Sequence, residues 1–278
     1  MDATSDVVCY RQTDVHIQTR THNQPPRSTT PIHIRLRRPP PRQNSVTVGQ
    51  DGRSIRQRDP TILLRPIFVN AVEVGYAYGE ALGQRGRLHA LGCVLVAWHF
   101  ISKGHDLKLF LPRCYKRFAE KTVGFDALRA LDEAGLVQWT LGQGAEKYAE
   151  LGRVLAANAR RFGGCICGTS TMRRIYEENP VYRFVITRRL LVPTFLPNSI
   201  DVVFPVDGPE GRNGSPHQRT IISTDEDPDY QLASFQQLSL RHQARSLASL
   251  LQFLPNPQHH LRTLTQIGAL AGFNRDFY

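Results

Sequence analysis

From Arg65 onward the chain alternates short apolar runs with segments whose apolar residues recur at helical spacing. A short, continuous apolar run is typical of a strand buried on both faces, whereas recurrence every three or four residues is typical of an amphipathic helix. The predicted strands are residues 65–71, 107–112, 136–140 and 163–167. The predicted helices are residues 88–101, 125 to about 135, 148–158 and 170–178. Strands that alternate with helices predict an α/β fold around a mainly parallel sheet.

The second half of the chain adds shorter elements. Further strands are expected at 182–187, 190–195 and 201–204, where they complete or flank the sheet. Residues 216–229 form a predicted polar linker that contains the acidic residues Asp225, Glu226 and Asp227. Residues 230–278 carry leucines at helical spacing on both sides of Pro255 and Pro257, which predicts a helical C-terminal segment of two amphipathic helices. This segment either docks on the main domain or forms a small interaction module.

The first 60 residues differ from the rest in composition. Positions 1–59 contain ten Arg, no Lys and six Pro, with few apolar residues that could form a core. Such a segment gains too little from burial to offset the chain entropy lost on folding, so it is predicted to be a disordered arm. Two interpretations stay open: a solvated tail, or an arm whose arginines contact RNA phosphates.

Net charge and cysteine content indicate which class of partner and which cellular compartment to expect. The formal net charge of +11 favours an anionic partner, and nucleic acid is preferred to a membrane surface because no basic amphipathic helix with a large apolar face is evident. No membrane-spanning run is found, and the five scattered cysteines fit reduced thiols better than a disulfide framework. We expect a cytoplasmic protein, in ribonucleoprotein granules or also in the nucleus.

Basic residues around the predicted strand ends are the candidate RNA-binding positions. The stretch from Arg113 to Lys121 interleaves cations with Tyr115 and Phe118, a combination that binds phosphates and stacks a base. The alternative is a solvated loop. The full set of candidates is Arg113, Lys116, Arg117, Lys121, Arg160, Arg161, Arg173 and Arg174.

Several motifs occur in an order and at a spacing known from one family. They are RPIFVNAVEVGYAYG, FISKGH, LFLP, FDALRALDEAGLVQWT, GGCICGTSTMRRI, RRLLVPTF and FPVDGPEGRNG. Together they resemble the NYN-type, PIN-like endoribonuclease domain of the Regnase proteins, over residues 65–215. The resemblance implies a domain at 61–215 with a three-layer sandwich around a mainly parallel sheet, and cleavage of RNA with a magnesium ion held by carboxylates.

The chain departs from the family at the acidic positions that the resemblance implies. Asn70 stands where the family has an Asp, Ala149 and Glu150 stand where it has an acidic pair, and Thr169 stands where it has an Asp after the fourth strand. The family's helix arginine corresponds to Leu91. Glu73 and Glu150 are the acids that remain as candidates for a weaker site. Two carboxylates with neutral neighbours are a poor cage for Mg²⁺, which prefers several oxygen ligands in octahedral geometry.

The sequence therefore predicts a catalytically impaired pseudonuclease that acts in mRNA decay or RNA silencing as an RNA-binding or partner-binding subunit. No cofactor is expected, with Mg²⁺ relevant only if cleavage is retained. The expected partners are single-stranded RNA or mRNA and other NYN or PIN-like chains, as a homo- or hetero-oligomer, and no membrane. Two alternatives stay open: an active metal-dependent endoribonuclease with a rearranged acidic site, and a protein scaffold that does not bind RNA.

Overall fold

The computed structural model describes residues 62–196, 201–204 and 220–273, together with the backbone of two short strands at 46–48 and 55–57. Most of the predicted arm, residues 1–60, therefore lies outside the described residues, as do 205–219 of the chain. The two short strands pair antiparallel, with Val46 opposite Gln57. These six residues depart from the expected disorder, and their Val, Thr and Ile content has high strand propensity.

The strands and helices of the described residues follow in chain order. The strands are β1 (Val46–Val48), β2 (Ile55–Gln57), β3 (Leu63–Leu64), β4 (Ile67–Asn70), β5 (Leu88–His89), β6 (Leu107–Pro112), β7 (Thr122–Val123), β8 (Val137–Thr140), β9 (Cys165–Cys167), β10 (Leu190–Leu191), β11 (Thr194–Phe195), β12 (Val202–Val203) and β13 (Ile222–Ser223). The helices are α1 (Ala71–Ala81), α2 (Ala90–Ser102), α3 (Cys114–Arg117), α4 (Phe125–Glu133), α5 (Glu146–Arg161), α6 (Arg173–Glu178), α7 (Arg183–Arg188), α8 (Tyr230–Ser234), α9 (Leu240–Leu251) and α10 (Pro257–Leu270). Short 3-10 turns cover Ala119–Lys121 and Pro180–Tyr182.

Five parallel strands form the central sheet in the order β10-β9-β4-β6-β8. The connections from β4 to β6 and from β6 to β8 move in one direction, so right-handed crossovers place α1, α2 and α4 on one face. The connections from β8 to β9 and from β9 to β10 move in the opposite direction, which places α5 and α7 on the other face. The result is the expected α/β sandwich of three layers, and the predicted fold class is confirmed.

Burial on both faces explains why the central strands are almost continuously apolar. Ile67, Val69 and Leu109 are fully buried because helices cover the sheet on each side. Helix α2 is buried around nearly its whole circumference, since α1, α4 and α9 all pack against it. A β-carbon on Gly92 would collide with Tyr78, so the close approach of α1 and α2 requires glycine at that position.

Two parts of the predicted element pattern need correction. Residues 182–187 were expected as a strand but form the end of a 3-10 turn followed by α7. Asn179 accepts a hydrogen bond from the Val181 backbone N–H and Pro180 opens the turn, while Val185 and Ile186 pack into the core, so local capping and tertiary packing override strand propensity. Helix α1, over residues that carried no helix prediction, starts at the side chain of Asn70, which caps it.

The stretch expected as a polar linker, residues 216–229, has another role where it is described. Strand β13 pairs antiparallel with β3, so this part of the chain is hydrogen-bonded to the strand that leads into the sheet. Helix α9 then packs on α2 and α4, and α10 packs on α9. The C-terminal helices thus dock on the α/β domain, which was one of the two possibilities left open by the sequence.

Buried arginines tie this C-terminal part to the amino edge of the sheet. Arg65 forms ion pairs with Asp227 and Asp229, each at 3.1 Å, and donates to the Gly163 carbonyl at 2.7 Å. Arg189 forms a second, short ion pair with Asp229. Burial acts to raise the pKa of Asp229, but Arg189 and Arg65 outweigh it and hold that pKa below its usual value. The cluster lies at the amino ends of the parallel strands, on the side of the sheet opposite to their carboxyl ends.

Cys93, Cys165 and Cys167 are free and buried, and burial raises the pKa of Cys93 to about 12 and that of Cys165 to about 11. These thiols are structural at neutral pH. In the part of the chain that the structure describes, no helix combines the length and apolarity needed to cross a membrane.

Candidate nucleic-acid interface at the carboxyl edge of the sheet

The carboxyl ends of the parallel strands bring the candidate residues onto one edge. Strand β4 lies between β9 and β6, with Val69 opposite Cys167 and Asn70 opposite Phe110. Asn70 at the end of β4 and Thr169 after β9 therefore face the same crevice, as expected if the first and fourth strands were neighbours. The ends of β6 and β8 continue this edge on the other side, where Pro112 is opposite Thr140. An edge of this kind is where ligands bind in open α/β sheets.

The side chain of Asn70 caps the adjacent helix, α1. Its side-chain oxygen accepts a hydrogen bond from the Glu73 backbone N–H at 3.3 Å, which makes Asn70 the N-cap of α1. The side chain is almost fully buried at this position. Asn70 therefore offers a neutral amide oxygen that the helix already uses, at the position where the resemblance implies a charged carboxylate.

Glu73 points into the crevice and is held by the loop after β9. Its Oε2 accepts hydrogen bonds from the backbone N–H groups of Thr169 at 2.7 Å and Ser170 at 2.9 Å. A β-carbon on Gly168 would collide with the same oxygen, so glycine at 168 permits this approach. The carboxylate thus bridges α1 and the loop after β9, with its Oε2 engaged by two backbone amides.

Glu150 is held at a different loop. Its position on α5 lies one residue after Ala149, and its Oε2 packs so closely against Gly142 that a β-carbon there would collide with it. Gly142 belongs to the connection between β8 and α5. Glu73 therefore contacts the loop that follows β9, while Glu150 contacts the loop that follows β8.

These contacts decide whether the residues fit the magnesium ion of the family. A hard cation needs several free anionic oxygens directed at one point. Asn70 and Thr169 are neutral, Ala149 has no donor, and Glu73 is already hydrogen-bonded twice. Among the residues that the structure describes, no group of three or more His, Cys, Asp or Glu side chains is placed to hold a metal ion. The donor set does not fit Mg²⁺.

Tyrosines gather beside the altered acidic positions, a feature that the sequence analysis missed. The hydroxyl of Tyr76 on α1 lies 3.5 Å from the hydroxyl of Tyr115 on α3. Burial raises the pKa of Tyr115 well above its usual value, and hydrogen bonds with Tyr76 and Tyr148 raise it further. Tyr148 precedes Ala149 on α5. Because the three residues lie far apart in the chain, only the fold brings their hydroxyls together.

The predicted RNA-binding residues divide into two groups by their partners. Several are neutralised within the protein: Lys116 pairs with Asp132 at 3.0 Å, Arg173 pairs with Glu177 at 2.7 Å, and Arg174 pairs with both Glu178 and Glu146. Arg160 donates to the Val181 carbonyl, and Arg161 lies over the ring of Phe162. The last two stand at the end of α5, which leads into β9 and therefore lies toward the opposite edge of the sheet. Their contact with RNA stays a prediction.

Arg113 and Arg117 form the second group, at the end of β6. Both line a cavity of about 540 Å³ whose wall also includes Lys147, Phe118 and Leu141. Neither arginine forms an ion pair with a carboxylate of the described residues, in contrast to the cations on α6. Lys121 stacks over Phe118 at 4.4 Å. This basic surface lies on the same edge of the sheet as Asn70 and Thr169, two strands along from β9.

The layered α/β fold, with a polar crevice along the carboxyl edge of its parallel sheet, places the protein in the PIN-like class. The family model described as the Zc3h12a-like Ribonuclease NYN domain matches residues 63–219, more than half of the chain. The chain belongs to this family, and the resemblance found in the sequence is confirmed. It is thus an RNA-associated, nuclease-like protein of the NYN type.

Proposed function

We propose that the protein is a catalytically impaired member of the NYN ribonuclease family that binds single-stranded RNA along the carboxyl edge of its sheet. The observation that supports this most strongly is the use of Glu73, which accepts hydrogen bonds from Thr169 and Ser170 instead of standing free beside an acid at position 70. Asn70 is neutral and engaged as a helix cap, so in this proposal the crevice binds RNA without a cation held by carboxylates.

Binding is assigned to the cations at the end of β6 that form no ion pair within the described part of the chain. Arg113 and Arg117 stand beside the half-exposed ring of Phe118, and single-stranded RNA is bound by this pairing of phosphate contacts with stacking. Within the cell this activity fits an RNA-binding or partner-binding subunit of an mRNA-decay or RNA-silencing assembly, alone or with other NYN-type chains.

The test is an RNA-binding and cleavage assay on the full chain. We expect a salt-sensitive shift of single-stranded RNA and intact RNA after incubation with Mg²⁺ or Mn²⁺. The double variant Arg113→Ala/Arg117→Ala is expected to lower the affinity and to reduce the dependence on salt, because about 0.7 counterions are released per phosphate contact with a single strand.

The matched control is Arg241→Ala/Arg262→Ala, which removes the same charge from exposed positions on α9 and α10. Its RNA affinity should stay close to that of the unmodified protein. Metal-dependent cutting that disappears in Glu73→Gln or Glu150→Gln would show an active enzyme with a rearranged site. Equal loss of affinity in both double variants would refute the assignment to the end of β6.

A further inference from the structure

The cavity at the ends of β6 and β8 has the size of a ligand site. Its volume of about 540 Å³ lies within the roughly 300–1,000 Å³ that is typical of small-molecule pockets. It is bounded by the turn after β6, with Arg113 and Arg117, and by the loop after β8. The cavity thus lies between the segments that follow two neighbouring strands of the sheet.

The charged residues that line the cavity are all basic. Arg113, Arg117 and Lys147 contribute cations, and no carboxylate is part of the lining. None of these three side chains forms an ion pair within the part of the chain that is described. Lys116, their neighbour, instead points to Asp132. The carboxylate of Glu150 contacts the lining residue Gly142, and three cations against this one carboxylate leave a positive excess that favours an anionic ligand.

Apolar surface accompanies these cations. The ring of Phe118 is 45% exposed and the side chain of Leu141 is 70% exposed, both at the cavity wall. Exposure of large apolar side chains next to cations is the arrangement that receives a planar base on one side and a phosphate on the other.

We propose that this cavity is a subsite for a terminal nucleotide of single-stranded RNA that carries a phosphate monoester. A monoester bears about −1.5 to −2 charges at neutral pH, whereas an internal phosphodiester bears a single charge, so the three cations match the chain end better than its interior. The proposal rests on the proposed function and deepens it by naming the part of the RNA that is recognised. Because β4 and β9 lie beyond β6 in the sheet, the rest of the strand would run past Tyr76 toward Asn70 and Thr169.

The experiment compares RNAs of one sequence that differ only at their ends. Fluorescence anisotropy of the full chain is measured with a 5′-monophosphate, a 3′-monophosphate, and hydroxyl groups at both ends. One of the two monophosphate RNAs is expected to bind at least about tenfold more tightly than the hydroxyl form, the effect of one or two additional charge-assisted hydrogen bonds. The two arms identify which end the cavity takes.

A charge placed in the cavity wall locates the effect. In Leu141→Asp the preference for a terminal phosphate should disappear, because a carboxylate now faces the phosphate at a position exposed enough to leave folding intact. Leu270→Asp, on the exposed side of α10, adds the same charge elsewhere and should keep the preference. Equal binding of all three RNAs, or a preference that survives in Leu141→Asp, would overturn the subsite.

Failure of the subsite is distinguishable from failure of the proposed function. If all RNAs bind equally, RNA binding stands and only the terminal subsite is refuted. If no RNA binds at low salt, the proposed function is refuted, and calorimetry with adenosine monophosphate against adenosine tests the cavity by itself. Binding of the monophosphate alone, sensitive to Leu141→Asp, would support the cavity as a phosphate-nucleotide site, and no binding of either would refute it.

Discussion

At the scale of single residues, the crevice satisfies its polar groups internally. Asn70 caps α1, and Glu73 accepts from the two amides that follow Gly168, so the groups nearest to the family's metal position are already hydrogen-bonded. In an acidic metal site, by contrast, the carboxylates repel one another, and the bound cation relieves this repulsion. In this chain Asn70 and Glu73 instead hydrogen-bond to the backbone of α1 and of the loop after β9.

The Glu73 contact can be tested by its effect on stability. Glu73→Ala is expected to lower the free energy of unfolding by about 1–2 kcal/mol, the value of charge-assisted hydrogen bonds to backbone amides that water can partly replace. The measurement is urea denaturation. Glu80→Ala, on the same helix, removes only an exposed ion pair with Arg85 and should have a smaller effect. Equal effects of the two variants would contradict the role assigned to Glu73.

At the scale of elements, the C-terminal helices complete the helical layer on the α2 side of the sheet. Leu247 and Leu250 of α9 are fully buried, and the amide of Gln243 donates to the carbonyl groups of Ile101 and Ser102 at the end of α2. A helix end has carbonyl groups without intrahelical partners, and Gln243 supplies donors for two of them. The apolar face of α9 is therefore core, and α2 would be exposed without it.

Removal of this packing should destabilise the whole domain. Leu247→Ala is expected to cost about 2–5 kcal/mol, the range for a large-to-small change in a packed core. Circular dichroism during denaturation should show one transition at a lower denaturant concentration. Leu270→Ala, at a half-exposed position on α10, is the control and should change the midpoint little. Two separated transitions in Leu247→Ala would show that α9 and α10 fold as an independent module.

At the scale of the whole molecule, the amino edge and the carboxyl edge of the sheet, where the parallel strands begin and end, carry charged residues in different environments. The amino edge carries the buried cluster in which Arg65 and Arg189 enclose Asp229, and this cluster fastens the C-terminal part of the chain to the strands. The carboxyl edge carries the exposed cations and the cavity. A buried charge stabilises a structure only when an opposite charge pairs with it. A cation without such a partner is stable where it is solvated, and there it can bind an anionic ligand.

Asp229 should accordingly be among the most sensitive positions outside the apolar core. Asp229→Asn leaves two buried guanidinium groups with reduced compensation, and we expect a loss of about 3–5 kcal/mol in thermal or urea denaturation. Asp126→Asn, which removes an exposed pair with Arg129, is the matched control and should have little effect. A loss in Asp229→Asn no larger than in the control would contradict the role of the cluster.

The same residue predicts how stability depends on pH. The pKa of Asp229 is lower in the folded state than in the unfolded chain, so its contribution is complete above the unfolded pKa, about 4, and declines as the pH falls through the lower folded value. The unmodified protein should therefore lose more stability than Asp229→Asn between about pH 5 and pH 2. Parallel stability curves for the two proteins over this range would refute the prediction.

Local sequence signals were sufficient to predict the bounds of an element wherever those bounds depend only on neighbouring residues in the chain. The run from Leu107 to Pro112 is a strand with the expected bounds, and Lys103 and Gly104 end α2 as a basic residue and a left-handed glycine should. They were insufficient where propensity and packing conflict. The stretch around Val185 has the composition of a strand yet is helical, because its apolar side chains pack inward from a segment that begins at a capped turn.

The sequence by itself determined the family and the alternation of strands and helices, because these depend on residue identity and spacing along the chain. It also predicted that neutral residues stand at positions 70, 149 and 169, where the resemblance implies acids. Only the tertiary structure decided what the remaining groups do. In the fold, Glu73 accepts hydrogen bonds from the loop after β9, and the hydroxyl groups of Tyr76 and Tyr148 lie close to that of Tyr115. Some cations form ion pairs within the protein, whereas Arg113 and Arg117 line a cavity. The reason is that charge and hydrogen bonding act over a few ångströms in space, and residues that are distant in the chain become neighbours only after the sheet has set the order of its strands.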